Sequence, residues 1–502
     1  MGGRPIGRTR DFESRYGGSS PPFPAFGNKT EQRTDTPRPT EARVLGAVIL
    51  AAGASKRFKS DRPKVLHDVW GRPLVSWTLS TLAELDKSVR PTVVCVVHSQ
   101  GVVLDVLLEK WRDVFKILYA IQAKPGGTGD AAQIGLSALP GLDEVIVLAG
   151  DSPLVRSRSI AKLVRQRRSK GAPVSLLVSQ LENPSGYGRI LRTADGRVSR
   201  IVEEKNASAD ERAISEINAS AYVFDAKTLK KLLLSVRPNQ KTNERYLTDV
   251  VEKVAGAIAV TGDPSEVIGA NTRVDFANVT MELRQRILMR LLKSGVTIID
   301  PPSVYVDADV IVKPDTVLMP GVHLEGRTVI QKGCEIGPNS RLIDTTVGHG
   351  STVTYSVASG AVIGRNCTVG PFASLRPGTE LKDNSKVGTF VETKNASIGK
   401  GSKVPHLSYM GDVSIGTNAN IGAGTITCNY DGKTKHKTTI GDDAFIGSNT
   451  MLVAPVKVGK GAKTGAGSVV TRDVEDGETV AGAPARKLPH TKPKTKTRKN
   501  KS

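Results

Sequence analysis

The chain has 502 residues, of which 38% are hydrophobic, 24% charged and 4% aromatic, with 50 glycines and a formal net charge of +22. That length implies about three domains' worth of folded chain, and few aromatics with many glycines exclude an aromatic-rich sandwich in favour of tight, repeated turns. The longest apolar stretch, 44–54, falls far short of the roughly 20 residues a membrane helix needs, and the first forty residues hold no apolar signal core, so no membrane partner and a cytoplasmic location are expected.

Residues 1–42 alternate Arg, Pro, Gly and Ser and read as a disordered N-terminal extension. Over 43–274, β-branched runs at 44–50, 92–97, 145–148 and 174–178 alternate with helical patterns, which predicts a Rossmann-like α/β domain with a mostly parallel sheet. A linker helix is expected within 275–296, because Phe276, Val279, Leu283, Ile287, Leu291 and Leu292 recur at three- or four-residue steps while Arg284, Arg286 and Arg290 fall opposite.

Across 297–488 the apolar period becomes six. Val312, Leu318, Leu324, Ile330, Ile336 and Leu342 form one series; Val357, Ile363, Val369, Leu375, Leu381 and Val387 form a second; Ile440, Ile446, Leu452 and Val458 form a third. Hexapeptide repeats of this kind build a parallel β-helix whose aliphatics point inward. The register breaks between Val387 and Ile440, where His406, Tyr409, Asn420, Asn429 and Lys435 gather, and interruptions of a rigid solenoid are where function concentrates. Residues 489–502 read as a disordered basic tail without interleaved aromatics, suited at most to weak polyanion or nucleic-acid contact. Cys95, Cys334, Cys367 and Cys428 form no CxxC pair, which argues against a zinc site or a disulfide framework and leaves each as a small buried hydrophobe.

Two stretches carry chemistry. Leu50-Ala51-Ala52-Gly53 follows the first strand and leads to Arg57 and Pro63-Lys64. A strand, a glycine turn and basic residues are the ingredients of a phosphate cradle, since small residues let backbone N–H groups approach an anion. A carboxylate at a strand end, Asp151, is well placed to carry a metal ion or to cap a helix. His406, in the second stretch, is the natural general base for acylating an amine, because its proton affinity lies near neutral pH.

The first loop, with Ala149-Gly150-Asp151, resembles the sugar-1-phosphate nucleotidyltransferases. The motifs Gln122 with Gly127-Thr128-Gly129, Gly186-Tyr187-Gly188-Arg189-Ile190, Val202-Glu203-Glu204-Lys205, Glu216-Ile217-Asn218 and Gly269-Ala270-Asn271 follow in order, ahead of the helix and hexapeptides. Over about 44–488 the whole resembles the bifunctional bacterial uridyltransferase and acetyltransferase family, GlmU. The resemblance implies a left-handed β-helix, a homotrimer, Mg²⁺ as cofactor, and UTP and acetyl-CoA as co-substrates of glucosamine-1-phosphate and N-acetylglucosamine-1-phosphate. It implies that Leu50, Ala51, Ala52, Gly53, Arg57 and Lys64 hold the nucleotide and its phosphates, and that Gln122, Gly127 and Thr128 face the uracil. Asp151 and Asn271 would bind the metal, with Gly188, Glu203 and Asn218 around the N-acetyl sugar.

For the second reaction it implies His406 as base and Arg376, Lys394 and Tyr409 as the grip on the sugar phosphate. Asn420 and Asn429 would orient the sugar and the histidine, and Asn429, Tyr430, Lys435, Ser448 and Ala466 would border acetyl-CoA. Ser55-Lys56 stands where the family often has Gly-Thr, and Asp130 where it often has His after Gly-Thr-Gly. Two rival readings are a nucleotidyltransferase of different base or sugar, such as a thymidylyltransferase, and a non-catalytic solenoid scaffold that binds polyanions through its tail.

Overall fold

The computed structural model describes residues 43–53, 56–98, 111–240 and 242–488; the N-terminal extension and the basic tail lie outside the described residues. The β-branched runs form the strands β1 (Leu45–Leu50), β2 (Val93–His98), β3 (Lys116–Ile121), β4 (Glu144–Ala149) and β5 (Val174–Gln180). With β6 (Arg189–Arg192), β7 (Val198–Val202), β8 (Glu216–Asp225) and β9 (Ile258–Thr261) they make one sheet in the order β9-β5-β8-β4-β1-β2-β3, with the β6–β7 hairpin attached to β8. Strand β8 runs antiparallel to both β4 and β5, while the remaining pairings along the main order are parallel. Apolar clusters cover both faces of this sheet, which is why its central strands read as unbroken aliphatic runs.

The linker helix α1 spans Arg273–Lys293. Thr272 starts it as a capping box: its hydroxyl accepts from the Asp275 backbone N–H, and the Asp275 carboxylate accepts in return. Val279, Leu283, Ile287 and Leu291 are buried as expected, but Leu292 is exposed and Leu288 takes its place. The arginines do not simply face water either. Arg284 lies 4.3 Å above the Tyr305 ring and donates to the carbonyl oxygen of Val304 at 3.0 Å, while Arg286 donates to the Leu154 carbonyl at 2.7 Å. The helix is therefore gripped from two sides.

Beyond it the chain winds as a parallel β-helix with three columns of short strands, recorded as a 12-stranded sheet and an interlaced 17-stranded sheet. The interior is a continuous aliphatic column that begins with Ile287, Leu288 and Leu291 of α1 and runs to Val480. The first and third hexapeptide series point inward throughout. The second contains one error: Val357 is exposed and Ala358 is the buried residue. Val353, Ala358 and Ile363 are successive inward positions, so two consecutive repeats there contain five residues each, and counting back by six from Ile363 lands one residue early. Cys95, Cys334 and Cys367 are buried as expected, whereas Cys428 is only half-buried. No helix among the described residues is long and apolar enough to cross a membrane.

The corrected register makes a contrast that urea denaturation can read. Ile363→Ala is expected to cost about 2–5 kcal/mol through the cavity it leaves, whereas Val357→Ala should change stability by no more than about 0.5 kcal/mol; equal losses would mean the rung is misassigned.

Candidate active sites

The first site lies at the C-terminal ends of β1 and β4, the usual place for a ligand in an open α/β sheet. Leu50, Ala51, Ala52 and Gly53 leave β1 along its wall, and Lys64, Gln122, Gly127, Thr128, Asp151, Glu203 and Asn218 line the same pocket. Pro63 introduces a short turn of 3₁₀ helix, Lys64–Leu66, that buries Val65 and Leu66 and leaves Lys64 for the pocket. Its ammonium pairs with the Asp151 carboxylate and donates to Asn271 Oδ1 at 3.3 Å, and Arg57 donates to the same Asn271 oxygen at 3.2 Å. The next residue in the chain, Phe58, is fully buried against the rings of His67 and Phe276. Two cations, a carboxylate and an amide oxygen thus converge at one edge of the pocket. Ser55 lies outside the described residues, as does the side chain of Lys56.

Opposite, strand β8 carries a bulge between Asn218 and Tyr222, with Ser220 at φ 54°. Asn218, Ser220 and Tyr222 alternate along the strand with Ala219 and Ala221 and so face the pocket together, where Asn218 Nδ2 donates to the Tyr222 hydroxyl at 2.5 Å. Glu203 accepts from the Thr248 hydroxyl at 3.0 Å, and burial pushes its carboxyl above the usual range despite that bond. Gly188 sits beside it, its carbonyl accepting from the Asn218 backbone N–H at 2.9 Å. Tyr222, Tyr246 and Thr248 also line the pocket; Tyr222 lies just beyond the Glu216–Asn218 motif, and the other two come from a separate segment that carries no motif of its own.

That separate segment is locked to the glycine turn. Gly129 N–H donates to the Arg245 carbonyl at 2.8 Å and Arg245 N–H donates to the Gly126 carbonyl at 2.8 Å. Gly127 has φ +90°, and a Cβ there would lie 2.4 Å from the Arg245 carbonyl oxygen, so only glycine fits.

A divalent cation can be tested against this donor set. Magnesium retains several waters and takes one or two protein oxygens together with substrate phosphates. Asp151 and Asn271 supply two oxygens already turned toward the Lys64 cation, and no group of three or more His, Cys, Asp or Glu that could hold a metal exists among the described residues. The set fits a metal shared with a phosphorylated substrate.

The second candidate set lies on the β-helix. Strands β10 (Glu392–Ile398), β11 (Lys403–His406) and β12 (Tyr409–Ile415) carry its centre, and Glu392 and Lys394 pair in register with Tyr409 and Gly411. At the far corner of this face Arg376 pairs with Glu392 at 2.7 Å, and Lys394 is held below the usual lysine range by Lys435, then by Arg376. Three cations crowd together there with two carboxylates nearby, Glu392 on Arg376 and Asp412 close to Lys394. A Cβ on Gly411 would meet the Tyr409 hydroxyl at 2.4 Å and Asn429 Nδ2 at 2.7 Å, so the tyrosine lies along the strand with its hydroxyl beside Asn429. Asn429 in turn donates to Asp412 at 2.5 Å.

The rung step explains this corner: Lys403 pairs with Asn420, 17 residues on, but Asn420 pairs with Phe445, 25 residues on. The surplus is a loop carrying exposed Tyr430, Lys435 and a His436–Asp431 pair at 2.7 Å, which the sequence reading had not singled out.

His406 stands elsewhere, at the preceding corner, exposed at the end of β11. Ser448 and Ala466 follow it in the same corner row: a Cβ on Gly422 would meet Ser448 N at 2.5 Å, and one on Gly447 would meet Ala466 N at 2.7 Å. Asn420 begins the strand paired with β11. One chain thus arranges the second set as two rows, Arg376, Lys394, Asn429 and Lys435 along one corner and His406, Ser448 and Ala466 along the other, with Tyr409 between them.

Residues 47–216 match the MobA-like NTP transferase domain, and 437–472 match the six-repeat bacterial transferase hexapeptide family. The chain is 46% identical to the bifunctional protein GlmU of Caldanaerobacter subterraneus subsp. tengcongensis, over 86% of this chain and 94% of that protein. It is 45% identical to the bifunctional protein GlmU of Streptomyces coelicolor, over 87% of this chain and 91% of that one. A solved UDP-glucose pyrophosphorylase complexed with UDP-glucose covers 48% of this chain and 99% of its own at 14% identity, with a TM-score of 0.40, a likeness too slight to argue from.

Two outcomes follow from the geometry. Gly127→Ala should lower stability by about 1–3 kcal/mol in chemical denaturation, through strained backbone and the clash with the 244–247 segment. Removing the neighbouring charge in Lys435→Gln should bring the Lys394 ammonium back up toward the ordinary lysine range, as an NMR titration of its side chain would report; an unmoved titration would mean that the two lysines do not face each other.

Proposed function

The chain belongs to the bifunctional GlmU family, and we propose on that premise that it makes UDP-N-acetylglucosamine in two steps at the two sites described. At the β-helix an acetyl group passes from acetyl-CoA to the amine of glucosamine-1-phosphate. At the α/β pocket the phosphate oxygen of N-acetylglucosamine-1-phosphate attacks the α-phosphorus of UTP in line, and pyrophosphate leaves.

The convergence of Lys64, Arg57, Asp151 and Asn271 at the mouth of the first pocket carries the reading. Nucleotidyl transfer needs positioning and neutralisation of phosphate charge more than covalent help from the protein. Arg57 and Lys64 supply positive charge to the triphosphate, and the Ala51–Gly53 turn leaves room for backbone N–H groups to approach it. Asp151 and Asn271 would hold Mg²⁺, which when bound neutralises charge on the phosphates being exchanged. Gln122, Gly127 and Thr128 face the base; Gly188, Glu203 and Asn218 face the sugar. Thr248 holds the Glu203 carboxylate by its hydroxyl, fixing where that group can meet a sugar hydroxyl.

At the second site, the crowded cations Arg376, Lys394 and Lys435 favour an anionic ligand, since each added negative charge relieves their mutual repulsion. His406 takes the proton from the attacking amine, Tyr409 and Asn420 contact the sugar phosphate, and Asn429, Tyr430, Lys435, Ser448 and Ala466 border acetyl-CoA. The two corner rows of one chain leave His406 and the cationic corner on either side of one face, which supports a homotrimer in which a neighbouring copy closes the site. A reaction drawing on UTP and acetyl-CoA belongs in the cytoplasm.

Purified protein assayed with each substrate pair separates the two sites. His406→Ala should cut acetyl transfer by about 10²–10⁴-fold and spare uridylyl transfer, while Asp151→Asn should cut uridylyl transfer by about 10²–10³-fold and spare acetyl transfer; loss of both activities in either variant would contradict two independent sites.

A further inference from the structure

The glycine turn at the edge of the nucleotide pocket carries an ion pair that the phosphate chemistry does not require. Asp130, in the first turn of the helix Thr128–Ser137, accepts from Gln122 Nε2 at 2.8 Å, and its other oxygen pairs with the Arg245 guanidinium at 2.6 Å. Gln122 Nε2 also donates to the Gly127 carbonyl at 3.2 Å. Both hydrogens of this amide are therefore spent on groups that only accept. Burial opposes the charge on Asp130, but the bonds from Gln122 and Arg245 prevail and hold its carboxyl below the usual range, so it meets the amide as a carboxylate.

That chemistry settles which way the amide points. Its nitrogen must face the carboxylate and the carbonyl, because the flipped amide would set oxygen against oxygen in both places. Gln122 is 5% exposed and lines the pocket, so the group it can offer a ligand is its amide oxygen, an acceptor.

We propose that Asp130 is a positioning residue for base selection: by locking the Gln122 amide with its oxygen available to the pocket, it makes the site accept bases that present a ring N–H, uracil and thymine, and refuse cytosine, which presents a bare ring nitrogen at that place. The inference rests on the reading of this pocket as a UTP site in which Gln122 faces the base. Selection follows from the cost of setting two acceptors face to face with neither satisfied. Arg245 has a supporting part. Its backbone is bound at both ends of the glycine turn, so its guanidinium is held where it neutralises Asp130 and keeps that carboxylate from repelling a nucleotide's phosphates.

The test compares UTP with CTP as nucleotidyl donor to N-acetylglucosamine-1-phosphate, using the full chain and recording kcat and KM separately. Asp130→Ala frees the amide to rotate. Its kcat/KM for UTP should fall about tenfold, chiefly through KM, while the value for CTP holds or rises, so the preference for UTP shrinks about tenfold. Asp130→Asn keeps the shape of the side chain but has one oxygen for two donors, and a smaller loss of preference is expected; it serves if the alanine variant does not fold. Arg245→Gln, which leaves the Asp130–Gln122 bond in place, should retain most of the preference. A fall of equal size for UTP and CTP in both Asp130 variants would reduce Asp130 to a structural anchor and overturn the proposal. Gln122→Ala tells that failure from one of the underlying reading: an unchanged UTP preference in this variant would mean that Gln122 does not face the base at all.

Discussion

A parallel β-helix exposes its aliphatic column at each open end, and covering the first end is the constraint on which this architecture turns. The linker helix meets it by setting Ile287, Leu288 and Leu291 into the same apolar cluster as Val304, Val306 and Leu318. The N-terminal part of the same apolar stripe packs on the nucleotide-binding half through Val279 and Leu283. Trp70 completes the joint: its indole N–H donates to the Thr280 carbonyl at 2.7 Å, and its own carbonyl accepts from Ala308 N–H at 2.9 Å. One helix thus serves as end cap for the solenoid and as part of the wall of the α/β unit, so the two sites are carried on a single packed body.

The two halves hold their cations by different means. In the α/β pocket the cations are paired with protein oxygens: Lys64 with Asp151, Arg57 with Asn271. The Lys64–Asp151 pair is largely buried, where a cation without a partner is costly, whereas Arg57 is exposed. On the β-helix the cations stand at an exposed corner where solvent screens them, so Arg376, Lys394 and Lys435 can crowd around only two carboxylates, Glu392 and Asp412. The first arrangement suits a ligand that exchanges partners with the protein inside a cleft, the second a ligand that is met at a surface and covered.

Much of the fold was legible before the structure. The strand runs and the six-residue period are written directly in residue type, because burial on a fixed geometric repeat demands aliphatics at fixed intervals. Val357 shows where such counting stops. Nothing in the local sequence marks a five-residue repeat, since Val357 and Ala358 are both acceptable inside, and the choice is made by hydrogen bonds to the coils on either side. Likewise Leu288 and Leu292 both fit the helical period, and only the shape of the capped solenoid end decides which is buried.

For the sites, the amino-acid order determined the inventory: the glycine turn, the basic residues after β1, the carboxylate at the end of β4 and the histidine in the interrupted solenoid are adjacent to recognisable elements and can be found by spacing. Tertiary structure alone decided the pairings. Asp130 and Arg245 are 115 positions apart, Lys64 and Asp151 are 87 apart, and Glu203 and Thr248 are 45 apart. The same holds for the split of the β-helix residues into two corner rows. Spacing along a chain reports which face of an element a side chain occupies, whereas a salt bridge or a shared pocket depends on how separate elements pack, and that is set by the whole apolar core at once.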